Sequence, residues 1–380
     1  MLTVLAQGVN WFAPGSGGLD RVFRDLALSL PQQDIALHGL VLGPPDVAAL
    51  TRGQVLAFGR GGKLPMRLLA ARMAMRKALL LQAPDVVALH FALFAAHTID
   101  LLKTRPVVMH FHGPWAEEAA AEGAGPAGVA VRAGLERSVY RRATRLITLS
   151  EAFATLLQSR YGIAREKIRV VPGSVDLARF APKVSRAAAR AALGWPAANP
   201  ILLAVRRLVR RMGLDRLIAA MPAVCAAVPG AMLMIAGRGA EEGRLKALAE
   251  ASGVGDNIRF LGFVADSDLP LAYRAADLNI VPSRALEGFG LTAAEALAAG
   301  TPSLVSPIGG LPEVVAPLDA NLVFRSGSAP DIAGGLVAAL TGGAPGETAC
   351  IGYARARFAP ERAAAGVAAI YREAASCKQT

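Results

Sequence analysis

The sequence predicts an α/β protein built from two doubly wound, Rossmann-like parallel-sheet domains, and three observations predict it. A chain of 380 residues is too long for one small module at roughly 100–200 residues per domain. Hydrophobic residues make up 53% and charged residues 18%, against roughly 25% charged in an average soluble domain, which excludes disorder and supplies two apolar cores. Short Val/Leu/Ile-rich runs alternate with Ala/Arg/Leu-rich segments of helical period, and this pattern runs through the chain twice.

In the first half, strands are expected at 2–6, 35–42, 85–90, 106–111, 145–149 and 168–171. Their apolar runs are unbroken, as in strands covered on both faces. The second half places strands at 201–205, 231–236, 258–261, 278–281, 303–306 and 322–324. Between the two sets lie Pro-Gly-Ser-Val-Asp, an Ala/Arg helix and the turn-rich stretch from Gly194 to Pro200, which puts the interdomain connection near residue 183. The expected division is therefore 1–182, 183–357 and a terminal helical segment, 358–380. Two such domains facing one another would place a ligand at the carboxyl ends of their strands, in the cleft.

Lys and Arg number 41 and Asp and Glu 29, a net charge of +12, which favours contact with phosphates of some kind. Aromatic residues are 6% and no basic-aromatic interleaving occurs, so nucleic acid is not expected as a partner. Cys225, Cys350 and Cys377 are odd in number and form no CxxC pair, which argues against a disulfide framework or zinc site and for a reducing compartment. The first residues read as a strand and not as a signal peptide. The longest apolar stretch, 86–102, contains His90, His97 and Asp100, whereas a spanning helix needs ~20 mostly apolar residues. The expected location is cytoplasmic, with peripheral contact at the inner face of the membrane as a further expectation.

The most informative segment follows the strand ending at Val281: Pro282-Ser-Arg-Ala-Leu-Glu287-Gly288-Phe289-Gly290-Leu291, then Thr-Ala-Ala-Glu295 and a helix closed by Gly300. Residues 288–292 read as a strand-to-helix turn whose glycines let backbone approach a ligand and whose free amides favour an anion. A phosphate fits such a turn, with the Glu287 and Glu295 carboxylates on either side of it. The alternative reading makes Glu295 a helix carboxylate favoured by the dipole and Glu287 a solvated loop charge.

Glu287 and Glu295, seven residues intervening, with Gly-Phe-Gly after the first and Glu-Ala-Leu-Ala-Ala-Gly-Thr-Pro from the second, resemble the paired-glutamate motif of retaining glycosyltransferases of family four, which have the GT-B fold. The likeness extends through Gly17-Gly18, Phe111-His112-Gly113-Pro114-Trp115, Thr148-Leu-Ser150, Val171-Pro-Gly-Ser-Val-Asp176, Arg207-Leu208, Ile235-Ala-Gly-Arg-Gly239 and Phe260-Leu-Gly-Phe-Val264.

The resemblance implies that 1–182 is the acceptor-side domain, that 183–357 binds a nucleotide-diphosphate sugar, and that 358–380 crosses back to the first domain. It implies that Glu287 holds hydroxyls of the donor sugar, Glu295 the donor ribose, and the Phe289, Gly290 and Leu291 amides the diphosphate. Arg207 would bind that diphosphate and stabilise the charge growing on the leaving group, a task a guanidinium suits. The family's lysine five positions after this arginine is Met212 here, and Arg211 is the candidate substitute. Gly17 and Gly18, in Gly15-Ser-Gly17-Gly18 before a helix with Arg21 and Arg24, would admit donor phosphate or acceptor to the backbone. His112 ends a strand and would bond donor sugar or acceptor, whereas His90 and His110 read as satisfied core residues.

No carboxylate nucleophile of the kind retaining glycosidases use is identifiable, so the resemblance implies same-face attack as the nucleotide departs. With arginines and a helix start able to neutralise a diphosphate, neither an essential metal nor a cofactor is expected. Residues 63–82 place Arg67, Arg72, Arg76 and Lys77 among Leu and Met, the composition of a helix lying on an anionic membrane or packed on the first sheet with solvated arginines. A glycan or lipid-linked acceptor in bacterial-type polysaccharide or glycoconjugate synthesis follows as the expected use. Two alternatives stand beside it: a nucleotide-sugar epimerase on the same scaffold, and a catalytically silent nucleotide-sugar or polyanion-binding protein.

Overall fold

A computed structural model describes residues 1–11, 17–181 and 183–377. The chain forms two compact units: Met1–Gly173 together with Pro360–Thr380, and Ser174–Ala359.

The first unit is a seven-stranded sheet with order β3-β2-β1-β4-β5-β6-β7. Its strands are β1 (Leu2–Asn10), β2 (Ile35–Leu42), β3 (Val55–Gly59), β4 (Val86–Leu89), β5 (Val107–Phe111), β6 (Arg145–Thr148) and β7 (Ile168–Val170), and every pairing is parallel. In the central strand β1, Val4 and Ala6 enter one core with Phe23, while Leu5 enters the other with Met75 and Leu89. That alternation explains why β1 has no polar face. The helix Pro360–Ser376 seals the first core with Val367, Ile370 and Tyr371. Its Glu373 receives hydrogen bonds from both Arg145, at 2.9 Å, and Arg169, at 2.5 Å.

The second unit carries β8 (Ile201–Val205), β9 (Met232–Ala236), β10 (Ile258–Gly262), β11 (Leu278–Val281) and β12 (Ser303–Val305). They form a parallel five-stranded sheet in the order β10-β9-β8-β11-β12. Each sheet reverses its strand order beside its first strand, between β1 and β4 and between β8 and β11. Such switch points open a crevice at the strands' carboxyl ends, where doubly wound folds bind ligands.

Three expectations need correction. Strand β3 lies at a sheet edge and was not foreseen. The expected strand at 322–324 reduces to one bridge between Val323 and Val305, because the Asp319 carboxylate accepts from the Asn321 amide at 2.8 Å and winds Ala320–Leu322 into a turn. The basic residues of the helix Leu64–Gln82 are not all simply solvated, because two of them are engaged by neighbouring side chains. Arg72 grips both oxygens of Asp100, at 2.6 and 2.7 Å, and the Arg67 guanidinium lies 5.8 Å from the Phe94 ring centre. Among the described residues no helix is long and apolar enough to cross a membrane.

Candidate active site

The site in the second unit is assembled by loops that leave the carboxyl ends of β8, β9, β11 and β12. Backbone segments there pass so close that side chains are excluded. A Cβ on Gly237, at φ +140°, would lie 1.9 Å from the Arg206 carbonyl oxygen, and one on Gly213, at φ +72°, 1.9 Å from the Pro282 carbonyl oxygen. At the loop after β12, Gly309 has φ +57° and its Cβ would meet the Glu287 carbonyl oxygen at 2.0 Å. The Gly310 amide donates to that same oxygen at 2.9 Å. Leu286, immediately before, is left-handed at φ +57°, a conformation that costs a branched side chain about 1–2 kcal/mol. Glu287 is therefore presented by a backbone fixed on both sides.

Its side chain meets Arg206, the residue that follows β8. Arg206 is 8% exposed. It forms an ion pair with the Glu287 carboxylate and donates to the Ser283 hydroxyl and, at 3.3 Å, to Thr292. Ser283 in turn donates to Glu287 at 2.8 Å. Burial would raise the Glu287 pKa, but the charge and hydrogen bond of Arg206, the Ser283 bond and the nearby Arg211 charge outweigh it and hold the carboxyl below its ordinary range. Glu287 is thus a firmly ionised hydrogen-bond acceptor.

The structure locates the other sequence candidates of this unit as follows. Arg207 is exposed at the mouth of β8. Arg211 is buried, directs a guanidinium nitrogen at the Leu286 carbonyl oxygen at 3.5 Å and lies close enough to Glu287 to bias it. Met212 is buried beside it. Gly290, left-handed at φ +91°, caps the helix Leu291–Ala298, and a Cβ there would strike Leu311 at 2.4 Å. The Phe289 ring packs edge-on against Phe358 at 5.5 Å, which anchors the turn whose amides lead into the helix. Glu295, in the helix's second turn, is 2% exposed and accepts a hydrogen bond from the Tyr273 hydroxyl at 2.9 Å.

Arg206, Ser283 and Thr292 were not singled out from sequence. Arg206 had one legible signal: it directly follows an apolar strand, where a charge belongs at the ligand end of a parallel sheet. Arg284, paired with Asp215, ties the same loop to the helix Leu214–Ala227. A separate cavity of about 360 Å³ opens near Pro200, Asp277 and Pro302, at the opposite ends of these strands. Its charges are internally matched, Arg190 to Asp277 at 2.6 Å and Arg186 to Asp277 at 3.5 Å, and it holds none of the residues above.

In the first unit, β5 delivers His112 to its carboxyl end. Glu136 fixes the following turn by accepting from the Trp115 and Ala116 amides and the Tyr140 and Tyr161 hydroxyls. His90 and His110 stack with ring centres 4.0 Å apart, and His90 Nδ1 shares a hydrogen bond of 3.2 Å with His112 Nε2. Only one ring carries the proton in that bond, so the tautomers are coupled. Burial, reinforced by the neighbouring rings, pushes His90 and His110 well below the ordinary histidine range, and burial alone takes His112 down to about 4. Gly17 is exposed and Gly18 opens the helix Gly18–Ser29. Asp20 ties that helix to β1 by accepting from the Asn10 amide at 3.1 Å. Gly15 lies outside the described residues.

Two family models match in tandem, "Glycosyltransferase Family 4" over residues 16–179 and "Glycosyl transferases group 1" over 185–357. The chain belongs to the family-four glycosyltransferases. Among its curated relatives, the D-inositol 3-phosphate glycosyltransferase of Segniliparus rotundus is 36% identical over 247 residues, covering 63% of this chain and 54% of the relative. A GDP-mannose-dependent monoacylated alpha-(1-6)-phosphatidylinositol monomannoside mannosyltransferase of Corynebacterium glutamicum is 38% identical over 164 residues, 41% and 42% of the two chains. The chain thus spans about half the length of the curated relatives it matches. Among solved structures, sucrose-phosphate synthase of Thermosynechococcus elongatus superposes with a TM-score of 0.83 at 23% identity, over 98% of this family member and 99% of that chain. Anabaena HepE in complex with UDP and glucose gives 0.78 at 21%, over 98% and 100%. These likenesses establish the GT-B fold.

Proposed function

We propose that the protein is a retaining hexosyltransferase that takes its sugar from a nucleoside-diphosphate donor and passes it to a glycan or lipid-linked acceptor without an essential metal. The observation that carries this reading is the Arg206–Glu287–Ser283 constellation at the carboxyl ends of β8 and β11, beside the glycine-capped start of the helix Leu291–Ala298. The named relatives support a phosphorylated donor and a polyol acceptor: one is GDP-mannose-dependent, one acts on an inositol phosphate, and one solved neighbour holds UDP and glucose.

In this reading the ionised Glu287 accepts hydrogen bonds from hydroxyls of the donor sugar. A carboxylate already committed to an arginine and a serine is a poor nucleophile at C1, so the acceptor hydroxyl attacks on the face from which the diphosphate leaves. A phosphate oxygen of the departing group takes the acceptor's proton. In this reading Arg207 and Arg211 stabilise the growing diphosphate charge, as do the Phe289, Gly290 and Leu291 amides, which together take the place of a cation. Glu295, its orientation set by Tyr273, holds the ribose. Gly17 and Gly18 admit phosphate or acceptor to the backbone in the first unit, and His112 binds sugar or acceptor as a neutral ring.

The test is to supply uridine, guanosine and adenosine diphosphate sugars with and without acceptor sugars. Acceptor-dependent release of nucleoside diphosphate supports transfer. Conversion of one nucleotide sugar into its epimer with no release would assign epimerisation, and binding without turnover would assign a silent receptor.

A further inference from the structure

The helix Leu64–Gln82 buries one face and leaves the other bare. Ala71 and Met75 point into the protein, whereas Met66, Leu69, Met73 and Leu80 are 67%, 60%, 65% and 79% exposed. At 100° per residue these four, with the exposed Arg76, Lys77 and Leu81, fall within an arc of roughly 140° opposite the buried side. Among the described residues, six of the thirteen exposed large hydrophobic side chains belong to this one helix. Leu56, also exposed, lies on the edge strand β3 at the same sheet face as Phe58, which packs against the same small core, Leu42, Ala71 and Phe94, as the helix residue Leu68. Soluble surfaces rarely cluster apolar side chains in this way without a partner.

The charge of the segment identifies that partner. Residues 60–82 contain Arg60, Lys63, Arg67, Arg72, Arg76 and Lys77 and no Asp or Glu. Arg67 and Arg72 are engaged by Phe94 and Asp100, whereas the exposed Arg76 and Lys77 sit within the apolar stripe and Arg60 and Lys63 precede it. A stripe of Met and Leu carrying only positive charge complements an anionic bilayer: apolar side chains enter the headgroup boundary while Arg and Lys reach the phosphates.

We propose that the outer face of the helix Leu64–Gln82 docks the protein on an anionic lipid surface, with Met66, Leu69, Met73 and Leu80 inserted and Arg76 and Lys77 at headgroup level. The inference rests on the surface of the first unit alone and is independent of the reaction proposed above.

Flotation with vesicles of phosphatidylcholine, with and without roughly 30 mol% phosphatidylglycerol, tests it without any activity readout. The wild type should float with the anionic vesicles at low salt and lose most of that binding as salt screens the charges. Arg76→Ala/Lys77→Ala should weaken binding about 30-fold, from ~1 kcal/mol per basic residue near the surface. Leu69→Ser/Met73→Ser, which leaves the charge unchanged, should weaken it at least ~10-fold. Arg259→Ala/Arg355→Ala, an equal loss of charge from exposed positions of the second unit, should bind as the wild type does. All these side chains are exposed, so circular dichroism melts should match.

Failure of the wild type to float at low salt would overturn the proposal. So would equal loss in the Arg259/Arg355 control, which would assign the effect to net charge alone. Sedimentation of the lipid-free protein as a dimer that Leu69→Ser/Met73→Ser dissolves, with no vesicle binding, would assign the face to a second copy and overturn it equally.

Discussion

Arg206→Ala isolates the interaction on which the site is built. The substitution leaves the Glu287 carboxylate in place, mostly enclosed, with Ser283 still donating to it. Removing one partner of a buried ion pair costs about 3–5 kcal/mol, and the remaining serine bond favours the lower end, about 3 kcal/mol. For a unit the size of Ser174–Ala359, 2–4 °C per kcal/mol gives a fall in melting temperature of roughly 6–12 °C. The loss should depend on pH. In the wild type Glu287 is held below its ordinary value, so its contribution is present above the unfolded pKa and disappears as pH falls through the folded one. In Arg206→Ala burial dominates and the carboxyl rises above its ordinary range, so this variant regains stability relative to wild type on acidification. The assay is thermal unfolding of wild type, Arg206→Ala, Glu287→Gln and the double variant at pH 7.5 and 4.5. The double variant should be more stable than the sum of the single losses predicts by about 1–3 kcal/mol at pH 7.5, and less so at pH 4.5. Additivity within ~0.5 kcal/mol at both pH values would show that Arg206 and Glu287 do not act as a pair.

Gly309→Ala places a Cβ against the Glu287 carbonyl oxygen in a left-handed backbone, so it should cost several kcal/mol, on the order of 3, and cut turnover more than donor affinity; a wild-type kcat would show that Glu287 is positioned by other means. Arg211→Ala should raise the donor dissociation constant about 10-fold, one lost charge contact, with partial recovery on adding Met212→Lys, as read by calorimetry; unchanged affinity would place the substitute for the missing lysine elsewhere. The His112 pKa, about 4 in the folded chain against ~6.5 unfolded, makes stability fall as pH drops through that window. Between pH 7 and 5 the loss from this ring is about 2 kcal/mol, and a pH-independent melting temperature in that range would refute the buried neutral histidines.

The fold was legible because both sheets are buried on two faces, so unbroken apolar runs such as 201–205 and 231–236 mark strands to within a residue or two. The edge strand β3 lacked that signal, since Leu56 faces solvent, and the run at 322–324 imitated a strand because its side chains are buried in a turn. At the site, the strand-to-helix turn at Gly290 and the paired glutamates were readable from spacing. The Arg206–Glu287 pair was not, because it joins residues 81 positions apart across β8 and β11, a proximity that only the switch point creates. The same holds for the stacked histidines, where β4 and β5 bring His90 beside His110 and His112. The close approaches at Gly213, Gly237 and Gly309 had no signal in sequence, since what each glycine excludes is a carbonyl of another loop.

The central claim is transfer of a hexose from a nucleoside-diphosphate donor with retention, and following the anomeric proton by NMR during turnover tests it most directly. The account predicts that nucleoside diphosphate and glycosylated acceptor appear in equal amounts, that the new glycosidic bond keeps the donor's anomeric configuration, and that Glu287→Gln slows both more than ~10-fold. An inverted product, or a nucleotide sugar consumed without glycosylated acceptor, would contradict it.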